Sequence, residues 1–284
     1  SVADRDRVRS LQLLLEAIAL AEKDENATAA ERADLWQTLG NQISIARHGE
    51  AWKLQDLTDL QTLPDFEISE GGGFRYGRGG WGAPSKGAPV DQAGNPVFHH
   101  KPESWDTAKS DGERWRWAMA QVMLHVADRR SQVELEWAGF LQSQFGVGAS
   151  AIGGPPVIRE AAAGDEAGGE KPKPSGEWAA HELADTETIT KLTTGVKRFA
   201  LPDEFNHITI LKAVVARGDG TKRQALESLI GERMNRHQYP QAAVLLRVIL
   251  KLATDKDDRQ AVQARIDQIV KNSMQVESTS VQLA

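Results

Sequence analysis

The sequence predicts an all-α fold of antiparallel helical hairpins, tetratricopeptide-like or α-solenoid-like, interrupted by long Gly/Pro-rich loops. Three observations predict it. Apolar residues recur three and four positions apart along much of the chain, capping residues stand where those runs begin, and Gly- and Pro-rich stretches separate them.

The first run starts near Asp4 and carries Val8, Leu11, Leu15 and Ile18, widened by Leu14. It stops around EKDENA. Thr28-x-x-Glu31 has the form of a capping box, in which hydroxyl and carboxylate each satisfy an orphan amide. Leu35, Leu39, Ile43 and Ala46 follow, with Trp36 beside them. Two helices joined this closely are expected to form a hairpin. A third apolar segment runs from Trp52 to Leu63 and ends at Pro64, so residues 1–65 read as an N-terminal helical hairpin.

Residues 66–103 lose the helical period and read as a Gly/Pro-rich loop. Within 71–100 the loop is locally basic: Arg75, Arg78 and Lys86 face a single acid, Asp91. A second hairpin is expected over 104–146. Its first helix follows the Ser110-x-x-Glu113 box and presents Trp115, Met119, Val122 and Val126; its second presents Val133, Trp137, Leu141 and Phe145. Gly146 stands where a left-handed C-cap is expected. Residues 147–180 contain EAAAGDEAGGEKPKPSGE, which has little to bury, and read as a flexible linker and the domain boundary. Limited proteolysis is expected to cut there first, and then within 70–95.

Residues 181–272 read as a second helical domain, with 273–284 as a polar tail. Ile189, Leu192 and Val196 predict a short helix ending before Pro202. Asn206 caps a helix carrying Ile208, Leu211 and Val215 that stops at Gly218-Asp219-Gly220. Leu226, Ile230 and Met234 lead to the turn RHQYP, where Pro240 suits a first helical turn. Ala243, Leu246, Ile249 and Ala253 mark the next helix, and Val262, Ile266 and Ile269 the last. Within Ala225–Thr254, Leu229-Ile230-Gly231, Tyr239-x-x-Ala242 and Leu246 approximate the positions that let paired helices interlock in a tetratricopeptide repeat.

The chain of 284 residues carries a net charge of -6, which disfavours general nucleic-acid binding. With no cysteine it has neither disulfides nor thiolate chemistry. No apolar run approaches the ~18–20 residues that span a bilayer, and SVADRDRVRS has no signal-peptide character. His99-His100 is a poor two-ligand metal site, because neighbours on an extended segment point to opposite faces; both read as solvated. His181-Glu182 lacks the second His of a metalloprotease helix. GDGTK at 218–222 has the wrong spacing for a phosphate loop and reads as a turn. The sequon Asn26-Ala27-Thr28 overlaps a residue already explained as a cap. No catalytic residue, cofactor or metal is expected.

Two clusters are candidates for an interaction surface. Arg75, Tyr76, Arg78 and Trp81 interleave cations with aromatic rings in the loop. Arg114 and Trp117 lie in DGERWRW, where the structural alternative puts Trp115 on the core stripe, Trp117 over a flank and the arginines on Asp111 or Glu113. A carbohydrate-active helical enzyme is an alternative. Asp111 and Glu113 would be its acid–base pair, and the discriminator is whether they face an open cleft with Trp105 and Trp117 or cap a helix. A stand-alone tetratricopeptide-like peptide-binding module is another. Nucleic-acid binding through the Arg-Gly loop is a third, removed if no affinity appears even at low salt.

LTDLQTLPDF, APVDQAGNPVF, SWDTAKSDGERWRWA, FLQSQFGV, ETITKLTTGVKRFALPDEFN and ARIDQIVKN, taken in order over most of 35–272, resemble the helical N-terminal region of large bacterial alpha-2-macroglobulin-like proteins. The resemblance implies a parent that traps proteases through a bait region and a Cys–Gln thioester. With no Cys, the thioester cannot lie in this chain. It further implies a non-catalytic scaffold and protein-interaction region of an endopeptidase inhibitor in the bacterial cell envelope, periplasmic or extracellular. The partners implied are other domains of a larger parent or a protein or peptide; the net charge argues against nucleic acid, and no membrane span is expected in this segment.

Overall fold

A computed structural model describes residues 2–44, 51–64, 87–147 and 180–282. Their order is α1 (Val2–Lys23), α2 (Ala29–Ser44), α3 (Asp111–His125), α4 (Arg130–Phe145), β1 (Glu187–Leu192), β2 (Gly195–Ala200), α5 (His207–Arg217), α6 (Lys222–Asn235), α7 (Tyr239–Leu252) and α8 (Lys256–Gln282). The protein is mostly helical, as the periodicities predict. It groups into two compact units, the first within 1–83 and 88–133, the second within 84–87 and 134–284.

In the first unit α2 packs on both α1 and α3. Val8, Leu11 and Ile18 of α1, Ala33, Trp36, Leu39 and Ile43 of α2, and Trp115, Ala118, Met119 and Val122 of α3 are buried. Gly40 permits the close approach of α2 to α3: a methyl group there would overlap the Met119 Cε and stand 3.3 Å from Trp115 Cδ1. The capping box at α2 forms in full, with Glu31 N donating to Thr28 Oγ1 at 3.2 Å and Thr28 N to Glu31 Oε2 at 2.8 Å. At α3 the box is shifted. Glu113 N donates to Ser110 Oγ at 3.2 Å, but the Glu113 carboxylate accepts from Lys109 N at 2.7 Å. The apolar segment 52–63 forms only a single 3-10 turn, Ala51–Gln55.

In the second unit α5, α6, α7 and α8 pack in chain order, each on the next. Connections this short force neighbours to run antiparallel. Leu226, Ile230, Ala242, Leu246, Ile249, Val262, Ile266 and Ile269 form one core cluster. Leu135 and Ala138 of α4 join Ile208, Leu211, Val214, Ala225 and Leu229 in another. Asn206 Oδ1 accepts from Ile208 N and Thr209 N, and Gly218 ends α5 at φ 76°, both where the sequence puts them. Pro240 stands in the first turn of α7.

Several expectations are corrected. Residues 187–200 are an antiparallel β-hairpin, not a helix, with Leu192 opposite Gly195 across Thr193-Thr194. Ile189, Leu192 and Val196 happen to be spaced three and four apart. The β-branched run ETIT and the Thr-Thr-Gly turn favour the strands. Within its unit α3 packs on α2, and within its own α4 joins the core of α5 and α6. Gly146 is not left-handed; positive φ falls at Gly87, Gly94, Gly195 and Gly218 and at His237. The α4 terminus is closed by the hairpin instead: Thr188 Oγ1 donates to Phe145 O, and Thr190 Oγ1 to Gln144 O at 3.1 Å. Gly231 faces open space, so it does not interlock helices.

Candidate functional site

The second unit buries a charged cluster where the segment 180–187 crosses the α6–α7 turn. Glu232 and Arg236 stand one turn apart on or just beyond α6, a spacing usually found on an exposed face. Both are fully buried, with Arg236 Nε 2.8 Å from Glu232 Oε1. The buried His207 ring, at the start of α5, brings Nε2 to 3.3 Å from the same oxygen without hydrogen-bond alignment. Gln142 Nε2 of α4 donates to Glu232 Oε2 at 3.2 Å. Burial pushes the Glu232 carboxyl up, but His207 and Arg236 outweigh it and hold the pKa down to about 2.

The cluster reads the backbone of the crossing segment. Arg236 Nη1 donates to Ala184 O at 3.1 Å, and Gln238 Nε2 to Leu183 O at 2.8 Å. Arg233 reaches Gln238 Oε1 at 2.5 Å and Asp185 Oδ1 at 2.6 Å. Asn206 Nδ2 donates to Asp185 O at 2.9 Å. These groups hold the segment in place through its own carbonyls.

The first unit has a comparable hub at Asp111, 1% exposed. Its carboxylate accepts from Thr58 N at 3.0 Å, Thr58 Oγ1 at 2.5 Å, Arg7 Nη2 at 3.0 Å and Arg114 Nη1 at 3.4 Å. Arg114 Nη1 also donates to Thr58 O at 2.7 Å, and its guanidinium lies 5.2 Å from the Trp105 ring centre. Burial lowers the Arg114 pKa against the pull of Asp111. The hub ties α1, residues 56–58 and α3 together.

Of the predicted interaction residues, Arg114 is thus engaged inside the unit, and Trp117 is half-buried on α3. Arg75, Tyr76, Arg78 and Trp81 lie outside the described residues, as do most of the 66–103 loop and of the 147–180 linker. Asp111 and Glu113 tie and cap α3 rather than facing a cleft. His99 is not solvated: it is buried against Gly112, and burial first, then Arg116 and His100, lower its pKa to about 4. His100 is exposed. The 218–222 segment is a turn, with Asp219 Oδ1 accepting from Thr221 N at 3.0 Å. Among the described residues no group of three or more His, Asp or Glu side chains is placed to hold a metal ion, and no helix is long and apolar enough to cross a membrane.

Sequence reasoning missed the Asp111 hub, the Glu232 cluster and the outer face of α7. The sequence carries only the local half of the first two, Asp111 with Arg114 and Glu232 with Arg236, because their other partners come from distant segments. The third had a local signal: the α7 sequence is apolar at Val244 and Leu252, outside the residues that pack. No protein family, curated protein or solved structure matches the chain.

Proposed function

We propose that the chain is a non-catalytic helical scaffold whose α5–α8 stack engages a peptide or protein segment in the manner of a tetratricopeptide module. The packing of four consecutive helices, each on the next, carries this reading. Such stacking leaves one helix of each pair with an outward face along a continuous surface. The stack also already holds a turn-forming segment of its own chain, through side chains directed at the successive carbonyls of 183–185.

The setting we propose is the helical region of a bacterial alpha-2-macroglobulin-like endopeptidase inhibitor in the cell envelope, on the strength of the ordered strings noted above. A peptide-display selection on the purified chain tests the first part. Enriched peptides are expected to protect amides of α5–α8 from exchange; protection confined to the first unit would refute it. Immunoblotting of cell fractions tests the second. A band far larger than the 31.1 kDa of this chain is expected in the envelope fraction. A cytoplasmic band near that mass removes the inhibitor setting.

A further inference from the structure

Helix α7 exposes two aliphatic residues, Val244 and Leu252, on either side of Val248, whose inner edge packs on the core cluster. Ala242, Ala243, Leu246 and Ile249 face inward and are buried. On the opposite side Val244 is 56% exposed and Leu252 40%, with half-buried Val248 between them. The three are four residues apart, one above the next, over about 12 Å of helix. Arg247 and Lys251 flank them one turn apart and are exposed. Among the described residues neither forms an ion pair, whereas Arg217, Arg223 and Arg265 each hold a carboxylate. YPQAAVLLRVILKL contains no acidic residue, although the chain as a whole carries a net charge of -6.

Exposed aliphatic side chains beside two exposed cations match one kind of partner by charge and shape. Resting on the interaction reading above, we propose that the outer face of α7 docks an acidic amphipathic helix. Its apolar side chains, three and four apart, cover Val244, Val248 and Leu252, and its carboxylates meet Arg247 and Lys251. Helix-on-helix docking of this kind uses anchors at i, i+3, i+4 and i+7. An anionic bilayer is a poorer match: the acidic chain is repelled by such a surface, and the aliphatic patch has no aromatic residue for the interface.

The test uses the full chain and two synthetic helices with the same leucine stripe, one flanked by Glu and one by Lys. The Glu-flanked peptide is expected to bind and to protect α7 amides from exchange, with the Lys-flanked peptide at least about tenfold weaker. Val244→Asp, at an exposed position, is expected to abolish binding with the circular dichroism unchanged. The double variant Arg247→Glu/Lys251→Glu is expected to reverse the preference. Equal binding of both peptides, no reversal, a footprint away from α7, preference for anionic vesicles, or self-association competing with the peptide would each overturn the proposal. A footprint elsewhere on α5–α8 would do so while leaving the scaffold reading intact.

Discussion

Replacing Gly112 with alanine tests a close contact in the first unit. Gly112 lies in the first turn of α3, and an added methyl group would stand 2.6 Å from His99 Cε1 and closer still to Nδ1 and Cγ. The ring is buried and cannot swing aside into solvent. Alanine favours a helix over glycine by at most about 1 kcal/mol, and by less in the first turn. Overpacking a close-fitted site costs about 1–3 kcal/mol. The balance predicts a net loss of about 1–2 kcal/mol, read as a lower urea midpoint at unchanged slope by tryptophan fluorescence. In a His99→Ala background the obstacle is gone, so the same substitution is expected to be neutral or stabilising by a few tenths of a kcal/mol. Equal effects in both backgrounds, or a stabilised single variant, would refute the packing argument.

Further outcomes follow from the buried polar groups. With a folded-state pKa of about 4 against 6.5, His99 stays neutral while the unfolded chain takes up a proton. Its contribution is therefore lost as pH falls from 6.5 to 4, by about 3 kcal/mol at about 1.4 kcal/mol per pH unit; His99→Gln should flatten the stability curve measured across that window. Glu232 acts in the more acidic range. Its carboxyl is held below 4.5, so the stability it adds is present above that pH and disappears toward 2, and acid unfolding of Glu232→Gln should lack this step. Asp111→Ala strands Arg7 and Arg114 without their carboxylate and is expected to cost about 3–5 kcal/mol in urea unfolding. Asn206→Ala removes a cap and the bond to Asp185 O, and should cost about 2 kcal/mol; Asn206→Asp keeps the cap and should recover part of it.

What the sequence made legible was local. Thr28 with Glu31, Asn206, Gly218 and Pro240 act within one turn of themselves, and each occupies its expected place. The apolar stripes of α5 to α8 were legible for the same reason. From the sequence Asp111 is an arginine's partner, or with Glu113 a cleft-facing or capping carboxylate, because its other partners, Arg7 and Thr58, are far away in the chain. Glu232 and Arg236 have the spacing of an ordinary solvent-facing pair, and only the arrival of His207, Gln142 and the 180–187 segment makes them interior. The β-hairpin was misread where two periodicities coincide. Ile189, Leu192 and Val196 fit a helix, while the threonines between them were the overlooked sign of strands.

Those threonines have a kinetic consequence. The last carbonyls of α4 accept hydroxyls from Thr188 and Thr190, 43 and 46 residues further on. A helix end finished by its own glycine can close as soon as it is made; this one must wait for a distant strand to arrive. The final turn of α4 and the hairpin should therefore become protected together in a pulse-labelling refolding experiment, later than the α7–α8 turn, which is closed by the short-range bonds of Ala253 N to Ile249 O and Asp258 N to Asp255 Oδ1.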